Sequence, residues 1–587
     1  MQTPYLSTVR SLILLASLLA LFACGGGGGG SGGSTPETPE PPPPPPSPVV
    51  LTKNEAARFL SQATFGPDAV AIDELVSMGI EDWLMAEFEK PASLHLQTVL
   101  SGFPEDGQFL DANGNPLPEV VFLAADSFWR TAIKGEDQLR QRMAYALSQI
   151  LVISAEGILG TAPQTVAHYA DVLTSGAFGN YRDLLENVTY SPAMAVYLTY
   201  LRNQKADPLT GRVPDENYAR ELMQLFTLGL VALNLDGTPV ENSDSSQVEL
   251  YDNSDITEMA KVFTGLSFSG VDFRAPIRTL PPAAYYTPLT VFDEFHSSEA
   301  KTFLGSSIPA NTSGEQTIDM ALDILFNHPN IGPFVGRQLI QRFITSAPSP
   351  AYVSRVAATF DNGSYDLPSG VVVGTGARGD LQAVITAILF DPEARDASSS
   401  DEPLFGKLRE PVLRFTHWAR AFEVNSADAS NEPSIHNANR PDLLGQHPYR
   451  SPSVFNFYRP GYIAAGTETG NAGLTAPELQ ITSATSIVGY PNFMTRYALG
   501  LSQRAGRDSD PAFSPDYSAQ VAVAGDAEAL LDNLDQLLTH GTLQAETRTR
   551  ITQILDAIGT EDDEALLLRA QIASVLIMTS PEYIVLR

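Results

Sequence analysis

Residues 214–229 read PDENYARELMQLFTLG, and this stretch decides the class of fold that we expect for the whole chain. Tyr218, Leu222 and Phe226 recur at helical spacing and form an apolar side. Pro214 suits the first turn of a helix and Gly229 suits its end, so the stretch predicts a helix of about four turns.

The other side of this predicted helix is polar. Glu216 and Arg220 are four residues apart, in the order that favours an ion pair. Asn217 and Glu221 share a face, where they could act as orienting group and general base of a catalytic site. Two interpretations therefore stay open for this face, a ligand site and a buried salt-bridge network.

Amphipathic segments of the same kind recur along most of the chain. Thr52 and Glu55 fit a capping box at a helix start, and further helices are predicted over 138–153 and 333–345. Residues 285–305 lack helical periodicity and predict a short hairpin or an extended loop. The sequence thus predicts a mainly α protein, a large multi-helix globular domain with long irregular loops and at most a small β-hairpin.

The charge of the chain excludes one class of partner. The 587 residues include 36 Lys and Arg against 68 Asp and Glu, which gives a net charge of −32. Such an acidic surface repels phosphate backbones, so nucleic acid is not expected as a partner.

The amino terminus has the features of a secretion signal. Arg10 precedes an apolar run over 12–21, which is too short to span a bilayer comfortably. Cys24, the only cysteine, follows shortly after this run. The sequence around Cys24 resembles a bacterial lipobox, which predicts a signal peptide over 1–23 and a lipid on Cys24. Gly25 resembles the residue found in lipoproteins sent to the outer membrane of Gram-negative cells. We therefore expect a secreted protein that contacts the membrane through its lipid anchor.

The remainder divides by composition. Residues 24–50 combine the lipid-attachment cysteine with a flexible Gly/Ser stretch and a stiff run of prolines, which predicts a spacer. Residues 51–587 form the predicted helical domain. Within it, 424–475 are irregular and rich in Pro, Gly and Asn, and they are the candidate hinge if the domain has two lobes.

Common cofactor motifs are few. Residues 374–379, GTGARG, match the GxGxxG pattern, but a helix and then another helix follow instead of a second strand. We interpret Asp380 as a helix N-cap and expect no nucleotide site. His296 with Asp293, Glu294 and Glu299 leaves a divalent metal open as a cofactor.

Other polar residues complete the candidates for a site. Glu258 lies on a predicted helix and joins Glu221 and Asn217 as a candidate catalytic residue. His296, Arg220 and Arg459 are candidate ligand-binding residues, and Arg459 lies in the aromatic segment FNFYRPGY.

Several ordered segments resemble the signatures of a large bacterial family catalogued as domain of unknown function 1800. They are LTKNEAARFLSQATFGP, LRQRMAYALSQILVIS, PDENYARELMQLFTLG, HPNIGPFVGRQLIQRFITSAPSPAYVSRVA, LFDPEARD, FGKLREPVLR and SPSVFNFYRPGY. The resemblance runs from about Thr52 to the carboxyl terminus. It implies a secreted or envelope-attached helical protein without an established role, and a secreted sulfatase-like protein as a partner. Members often show His-Asp followed by Gly and Lys where this chain has residues 296–301, HSSEAK. If the aspartate is a metal ligand in those members, this chain has lost it or Glu299 replaces it.

Three functions follow from these observations. The first is a binding or assembly component at the cell surface or in the periplasm, and another is a carrier for an extracellular small molecule. The alternative is a hydrolase or other enzyme acting on extracellular polymers or glycans, with carboxylates such as Glu221 and Glu258 as acid and base. An open cleft holding Glu221, Asn217 and His296 would favour the enzyme.

Overall fold

Helices packed around two hydrophobic cores make up the body of the chain. The computed structural model describes residues 51–103, 120–396, 402, 404–426, 435, 437–501 and 513–587. Cys24, the signal peptide and the linker lie outside these residues, as does part of the candidate hinge. Residues 50–587 form one compact unit. No helix of the described part is long and apolar enough to cross a bilayer.

The first core is built by helices from the amino-terminal two thirds of the body. They are α1 Lys53–Ala63, α2 Ala69–Met78, α3 Ile80–Glu89, α4 Leu96–Ser101, α5 Leu123–Lys134, α6 Gln138–Ser148, α7 Pro163–Gly176, α8 Tyr181–Thr189, α9 Pro192–Tyr197, α10 Asn217–Glu221, α11 Asn253–Ala260, α12 Gly314–Phe326, α13 Ile331–Phe343, α14 Pro350–Asn362, α15 Leu381–Phe390 and α16 Pro392–Arg395. Leu339 of α13, Val356 of α14 and Ile385 of α15 meet in this core and are fully buried. The apolar faces of these helices pack against one another, because a single amphipathic helix cannot bury its own apolar face.

The second core is formed by the later helices. They are α17 Pro411–Ala421, α19 Ala484–Ala498, α20 Ser518–Val521, α21 Ala527–Leu534, α22 Ala545–Leu555, α23 Asp563–Met578 and α24 Pro581–Ile584, whereas the short helix α18 Glu468–Asn471 buries none of its residues. This core is aromatic, with the Phe415 ring edge-on to Trp129 at 5.6 Å and to Tyr497 at 5.3 Å. α5 supplies Trp129 to the second core, and α6, which follows it in the chain, supplies Met143 to the first core. These two consecutive helices therefore join the cores.

Strands are short and always paired in twos. The antiparallel pairs are β1 Leu266–Ser267 with β2 Thr290–Val291, β3 Lys301–Phe303 with β4 Ser306–Ile308, β5 Tyr365–Asp366 with β6 Val372–Val373, β7 Lys407–Leu408 with β10 Val585–Leu586, and β8 Asn425–Ser426 with β9 Phe513–Ser514. In the hairpin of β3 and β4, Lys301 faces Ile308. The mainly α class is confirmed, although the described chain has more two-stranded pairs than the single hairpin predicted.

Residues 214–229, which the sequence predicts as one helix, do not form a uniform helix. Regular α-helix covers only Asn217–Glu221, and residues Leu222–Thr227 continue as a π-helix. The wider turn is fixed by the amide of Leu228, which donates to the carbonyl of Met223 at 2.9 Å, and by the hydroxyl of Thr227, which donates to the carbonyl of Leu222 at 2.6 Å. Helical spacing alone cannot distinguish this geometry from an α-helix, and π turns are often found at functional sites.

Two predicted helix starts are confirmed. Thr52 and Glu55 form a capping box, with the hydroxyl accepting from the Glu55 amide. The Asp380 carboxylate caps α15 by accepting from the amide of Ala383 at 3.1 Å.

The carboxyl-terminal residues close the second core. β10 pairs with β7, and the amide of Arg409 donates to the carbonyl of Ile584 at 2.7 Å. Tyr583 is fully buried, and its hydroxyl donates to the carbonyl of Arg414 at 2.6 Å. Arg58 of α1 donates from Nε to the carbonyl of Arg587 at 2.8 Å. The beginning and the end of the body are therefore in direct contact.

Candidate functional site

The polar face predicted around α10 forms a hydrogen-bonded network. Arg220 Nη2 lies 3.1 Å from Glu216 Oε2, which confirms the predicted ion pair. Glu216 also accepts from the hydroxyl of Thr257 on α11 at 2.7 Å. The Asn217 amide group donates to the hydroxyl of Thr199 at 3.4 Å. These contacts tie α10 to neighbouring segments and are what a structural network would make.

Glu221 differs from its neighbours because it is buried, with 8% of its surface exposed. Its Oε2 atom has no hydrogen-bond partner among the described residues, and burial raises its pKa although Arg220 opposes the shift. Burial, with the charge of Glu221 as a further cause, raises the pKa of Tyr197 to about 12. Glu221 is therefore a buried carboxyl group whose pKa is shifted in the direction that a general acid needs.

The other sequence candidates of this region lie in separate contacts. Glu258 Oε1 is 2.6 Å from Lys261 Nζ, and its Oε2 accepts from the amide of Thr302 at 3.2 Å. His296 is 3% exposed, and its Nδ1 lies 2.9 Å from the carbonyl of Thr264. Burial lowers the pKa of His296 and so favours the neutral ring.

The acidic neighbours of His296 have partners of their own. Asp293 accepts from the amide of Gly314 at 2.9 Å, and Glu299 lies 3.0 Å from Lys261 Nζ. Across the described residues, no group of three or more His, Cys, Asp or Glu side chains is arranged to hold a metal ion.

A cavity of 560 Å³ lies between α13 and the loop over 454–463. Its wall consists of Gln149, Ile150, Leu225, Phe334, Gln338, Arg342, Val454, Phe455, Tyr458, Arg459, Pro460, Gly461, Tyr462, Ile463 and Gln480. Leu225 comes from the π-helix, and Arg459 is the ligand-binding candidate from the sequence. Glu221 and His296 do not line this cavity.

The loop is held in place by hydrogen bonds to its backbone carbonyls, one of them from α13. Gln341 Nε2 donates to the carbonyl of Pro460 at 3.0 Å, and the amide of Ala476 donates to the carbonyl of Tyr462 at 2.8 Å. Asn456 adopts a left-handed conformation with φ of 61°, which lets the loop turn. The cavity is thus enclosed by a fixed loop and a helix.

Two buried donors of the cavity wall lack partners. Gln338 and Arg342 are four residues apart on α13, so they lie on one face of the helix. Gln338 Nε2 and Arg342 Nε have no hydrogen-bond partner in the described structure, and both residues are nearly inaccessible, at 5% and 3% exposure. The rest of the Arg342 guanidinium is held by the carbonyls of Gln338 at 2.8 Å and Gln149 at 2.9 Å. Two N–H donors on this face of α13 are therefore left without an acceptor.

Arg459 lies at the mouth of this cavity. Its side chain is exposed, and its guanidinium carbon lies 4.6 Å from the centre of the Phe455 ring. Such stacking holds an arginine in place while leaving its edge available for an anion.

A buried ionic cluster lies behind the wall. Glu410 is fully buried, and its Oε2 accepts from Gln149 Nε2 at 2.6 Å and from Gln446 Nε2 at 2.8 Å. Burial opposes ionisation of Glu410, but Lys407 and Arg142 outweigh it and lower its pKa. Lys407 Nζ is 3.8 Å from Glu410 Oε1 and 3.3 Å from Glu478 Oε1. Through Gln149, this cluster positions part of the cavity wall.

The local charge of this region is opposite to that of the protein. Arg142 and Arg342 both donate to carbonyl groups of the cluster, and with Lys407 they outnumber the carboxylates of Glu410 and Glu478. Arg459 adds a further positive charge, and the wall contains neither Asp nor Glu. An anion is therefore the ligand that this cavity favours electrostatically.

A second cavity, of 650 Å³, is lined by several charged side chains, two pairs of which form ion pairs. Arg420 Nη2 lies 3.0 Å from Asp68 Oδ2. Glu87 has its pKa raised by burial, but Oε1 lies 2.5 Å from Lys90 Nζ and Oε2 accepts from the amide of Leu139 at 3.0 Å. These contacts cap α6, so we consider the cavity beside α13 the better candidate for a ligand.

The comparisons with known proteins identify a family but no function. A family model described as Protein of unknown function (DUF1800) matches residues 58–585. No curated protein and no solved structure matches the chain. The match covers most of the chain and confirms the resemblance drawn from the ordered segments.

Proposed function

The chain belongs to the DUF1800 family, and we propose that this member is a binding component of the cell envelope whose cavity beside α13 takes an acidic ligand. The observation that carries the proposal is the pair of buried donors without partners, Gln338 Nε2 and Arg342 Nε. A buried donor left unpaired costs about 1–3 kcal/mol, and a ligand that accepts from it recovers that cost.

The identity of the donors supports an anion. A guanidinium binds carboxylate, sulfate or phosphate oxygens more strongly than it binds neutral acceptors. Arg342 at the wall and Arg459 at the mouth supply two such groups, and the wall has no carboxylate that would repel the ligand. The aromatic side chains of Phe334, Phe455 and Tyr462 add apolar contact, which is the usual composition of a small-ligand site.

Binding is favoured over hydrolysis because the cavity lacks the acid and base of a hydrolase. Glycoside hydrolysis requires a pair of carboxyl groups on either side of the bond. Of the candidates, Glu221 has the raised pKa that such an acid needs, but Glu258 is engaged by Lys261 and Thr302. The enzyme alternative therefore depends on Glu221, and Glu221→Gln tests it separately.

The amino-terminal sequence supports the location. A lipid on Cys24 would hold the protein at the outer membrane, and the Gly/Pro-rich linker would separate the cavity from the membrane surface. A secreted sulfatase-like protein is the partner that the family resemblance suggests, and it would present or modify the acidic ligand.

Binding of small anions tests the proposal. The protein is titrated with acetate and with sulfate at constant ionic strength, and affinity is read from thermal unfolding and from calorimetry. Loss of one charge-assisted hydrogen bond costs about 1.5–3 kcal/mol, so Arg459→Gln or Gln338→Leu should weaken binding about tenfold or more.

The matched control is Arg550→Gln on α22. Arg550 is 75% exposed and forms only an i,i+4 pair with Glu546. Arg550→Gln removes one positive charge, as Arg459→Gln does, but Arg550 does not line the cavity. This variant should therefore leave the affinity for anions unchanged. Equal affinity of all variants, or no saturable binding, would refute the proposal.

A further inference from the structure

The cavity beside α13 is chemically divided along its depth. Its inner wall holds Gln338 and Arg342, which are buried, whereas Phe455 and Ile463 at the mouth are 36% and 46% exposed. An acidic group therefore fits inside, while the mouth offers flat apolar surface to the rest of the ligand.

The amide groups indicate hydroxyl partners. Gln149, Gln338 and Gln480 all line the cavity, from its buried wall to its exposed rim. A glutamine side chain both donates and accepts, as a hydroxyl group does, whereas a carboxylate or a phosphate only accepts. Gln149 donates to Glu410 and accepts from the Tyr458 hydroxyl at 3.3 Å, and Gln480 Oε1 accepts from the amide of Arg459 at 2.8 Å. Gln338 Nε2 remains unpartnered in the described structure. The wall therefore suits a ligand that carries hydroxyl groups beside its acid.

The charge of the whole protein limits how acidic the ligand is. A net charge of −32 repels a polyanion at distances up to the Debye length, which is about 8 Å at physiological ionic strength. The local excess of positive charge lies in the cavity wall and in the cluster behind it. One acidic group entering the cavity gains the attraction, whereas a chain of them meets the acidic surface outside.

From these three observations we infer that the ligand is a sugar acid, a uronate residue at the end of an otherwise neutral glycan. This inference rests on the proposed function and specifies its ligand. The carboxylate accepts from Arg342 and Arg459, the hydroxyl groups meet the glutamine amides, and the C–H face of the ring covers Phe455. A volume of 560 Å³ is within the range of about 300–1,000 Å³ for small-ligand sites, so the end of a glycan enters and its remainder stays outside.

The test compares D-glucuronate with three probes that each lack one feature. D-glucose lacks the acid, N-acetylglycine carries a carboxylate without a sugar ring, and sulfate is an anion alone. We expect D-glucuronate to bind about tenfold or more tightly than D-glucose and N-acetylglycine, because each lacks at least one set of contacts.

Variants of the mouth separate the sugar from the acid. An aromatic contact is worth about 0.5–1.5 kcal/mol, so Phe455→Ala should weaken D-glucuronate binding about two- to tenfold. Because the same ring also stacks on Arg459, Phe455→Ala should weaken sulfate binding as well, but by less than it weakens D-glucuronate binding. Phe455→Tyr, which keeps the ring, should restore both affinities, and an equal loss for sulfate and D-glucuronate would contradict the sugar contact.

The outcomes distinguish this inference from the proposed function. Sulfate binding that depends on Arg459, together with no effect of Phe455→Ala on D-glucuronate, would refute the sugar acid and leave the anion site standing. Binding of N-acetylglycine as tight as that of D-glucuronate would also refute it, in favour of a peptide carboxylate. Absence of binding by every anion would refute both.

Discussion

Replacing Glu410 with glutamine is the sharpest test of the buried cluster behind the cavity. The carboxylate is fully buried and accepts through Oε2 from Gln149, Gln446 and Tyr145 at 2.6, 2.8 and 3.2 Å. Glutamine can keep one oxygen in that position. Its amide nitrogen then occupies the place of Oε1, which lies 3.8 Å from Lys407 Nζ, so a donor faces an ammonium group.

The expected loss of stability is large. In Glu410→Gln, the buried Lys407, Arg142 and Arg342 keep only the carboxylate of Glu478 for compensation. Removing one partner of a buried ion pair typically costs about 3–5 kcal/mol, because the remaining charge stays away from water. The control Glu546→Gln breaks the exposed pair with Arg550 at 2.6 Å, and it should cost about 0.5 kcal/mol or less.

Urea unfolding followed by circular dichroism measures the difference. We expect the midpoint of Glu410→Gln to fall well below that of Glu546→Gln at equal slope. The double variant Lys407→Met/Glu410→Gln should lose less than the sum of the two single losses, since it removes both charges. If Glu410→Gln destabilises no more than the exposed control, the cluster is solvated and our account of it is wrong.

Three further changes test other features. Burial lowers the pKa of His95 to about 4 in the folded protein, against about 6.5 in the unfolded chain. The unfolded chain therefore takes up the proton first, and the stability of the fold decreases as pH drops from about 6.5 towards 4. His95→Gln should therefore lose less stability than wild type over that range in urea titrations, and an equal loss would contradict this assignment. A Cβ on Gly363, which has φ of 66°, would overlap the carbonyl of Ala377, whereas one on Gly370, with φ of 88°, meets nothing within 4 Å. Gly370→Ala should cost about 1–2 kcal/mol from backbone strain alone and Gly363→Ala clearly more, so equal urea midpoints would refute the steric argument. Cys24→Ala should move the protein from the membrane fraction to the soluble fraction, and a variant that stays on the membrane would disprove the lipid anchor.

Sequence periodicity predicted the fold well where regularly spaced apolar residues form the packing face of a helix. The helix expected over 333–345 is α13 at Ile331–Phe343, and the capping box at Thr52 is present. The helix expected over 214–229 was predicted too uniformly, because apolar spacing does not show where backbone hydrogen bonds widen into a π turn. Apart from the hairpin or loop expected over 285–305, the paired strands were not predicted, because each has only two or three residues, too few for an alternating pattern.

The candidate site was only partly predictable. Arg459 was identified from the charge in its aromatic segment, and it lies at the mouth of the cavity. Gln338 and Arg342 were overlooked, although both lie in a segment that carried the family resemblance. What distinguishes them is an unpartnered N–H group in a buried wall, and that depends on a loop more than a hundred residues further along the chain. Spacing within one helix contains no such information.

The contact between the two ends of the body has a consequence for the order of folding. Tyr583 and the strand Val585–Leu586 close the second core, yet they follow every other residue of that core along the chain. During synthesis, the partner strand Lys407–Leu408 stays unpaired until residues 585–586 have been made. A nascent chain that has not reached Tyr583 therefore keeps part of its aromatic core open.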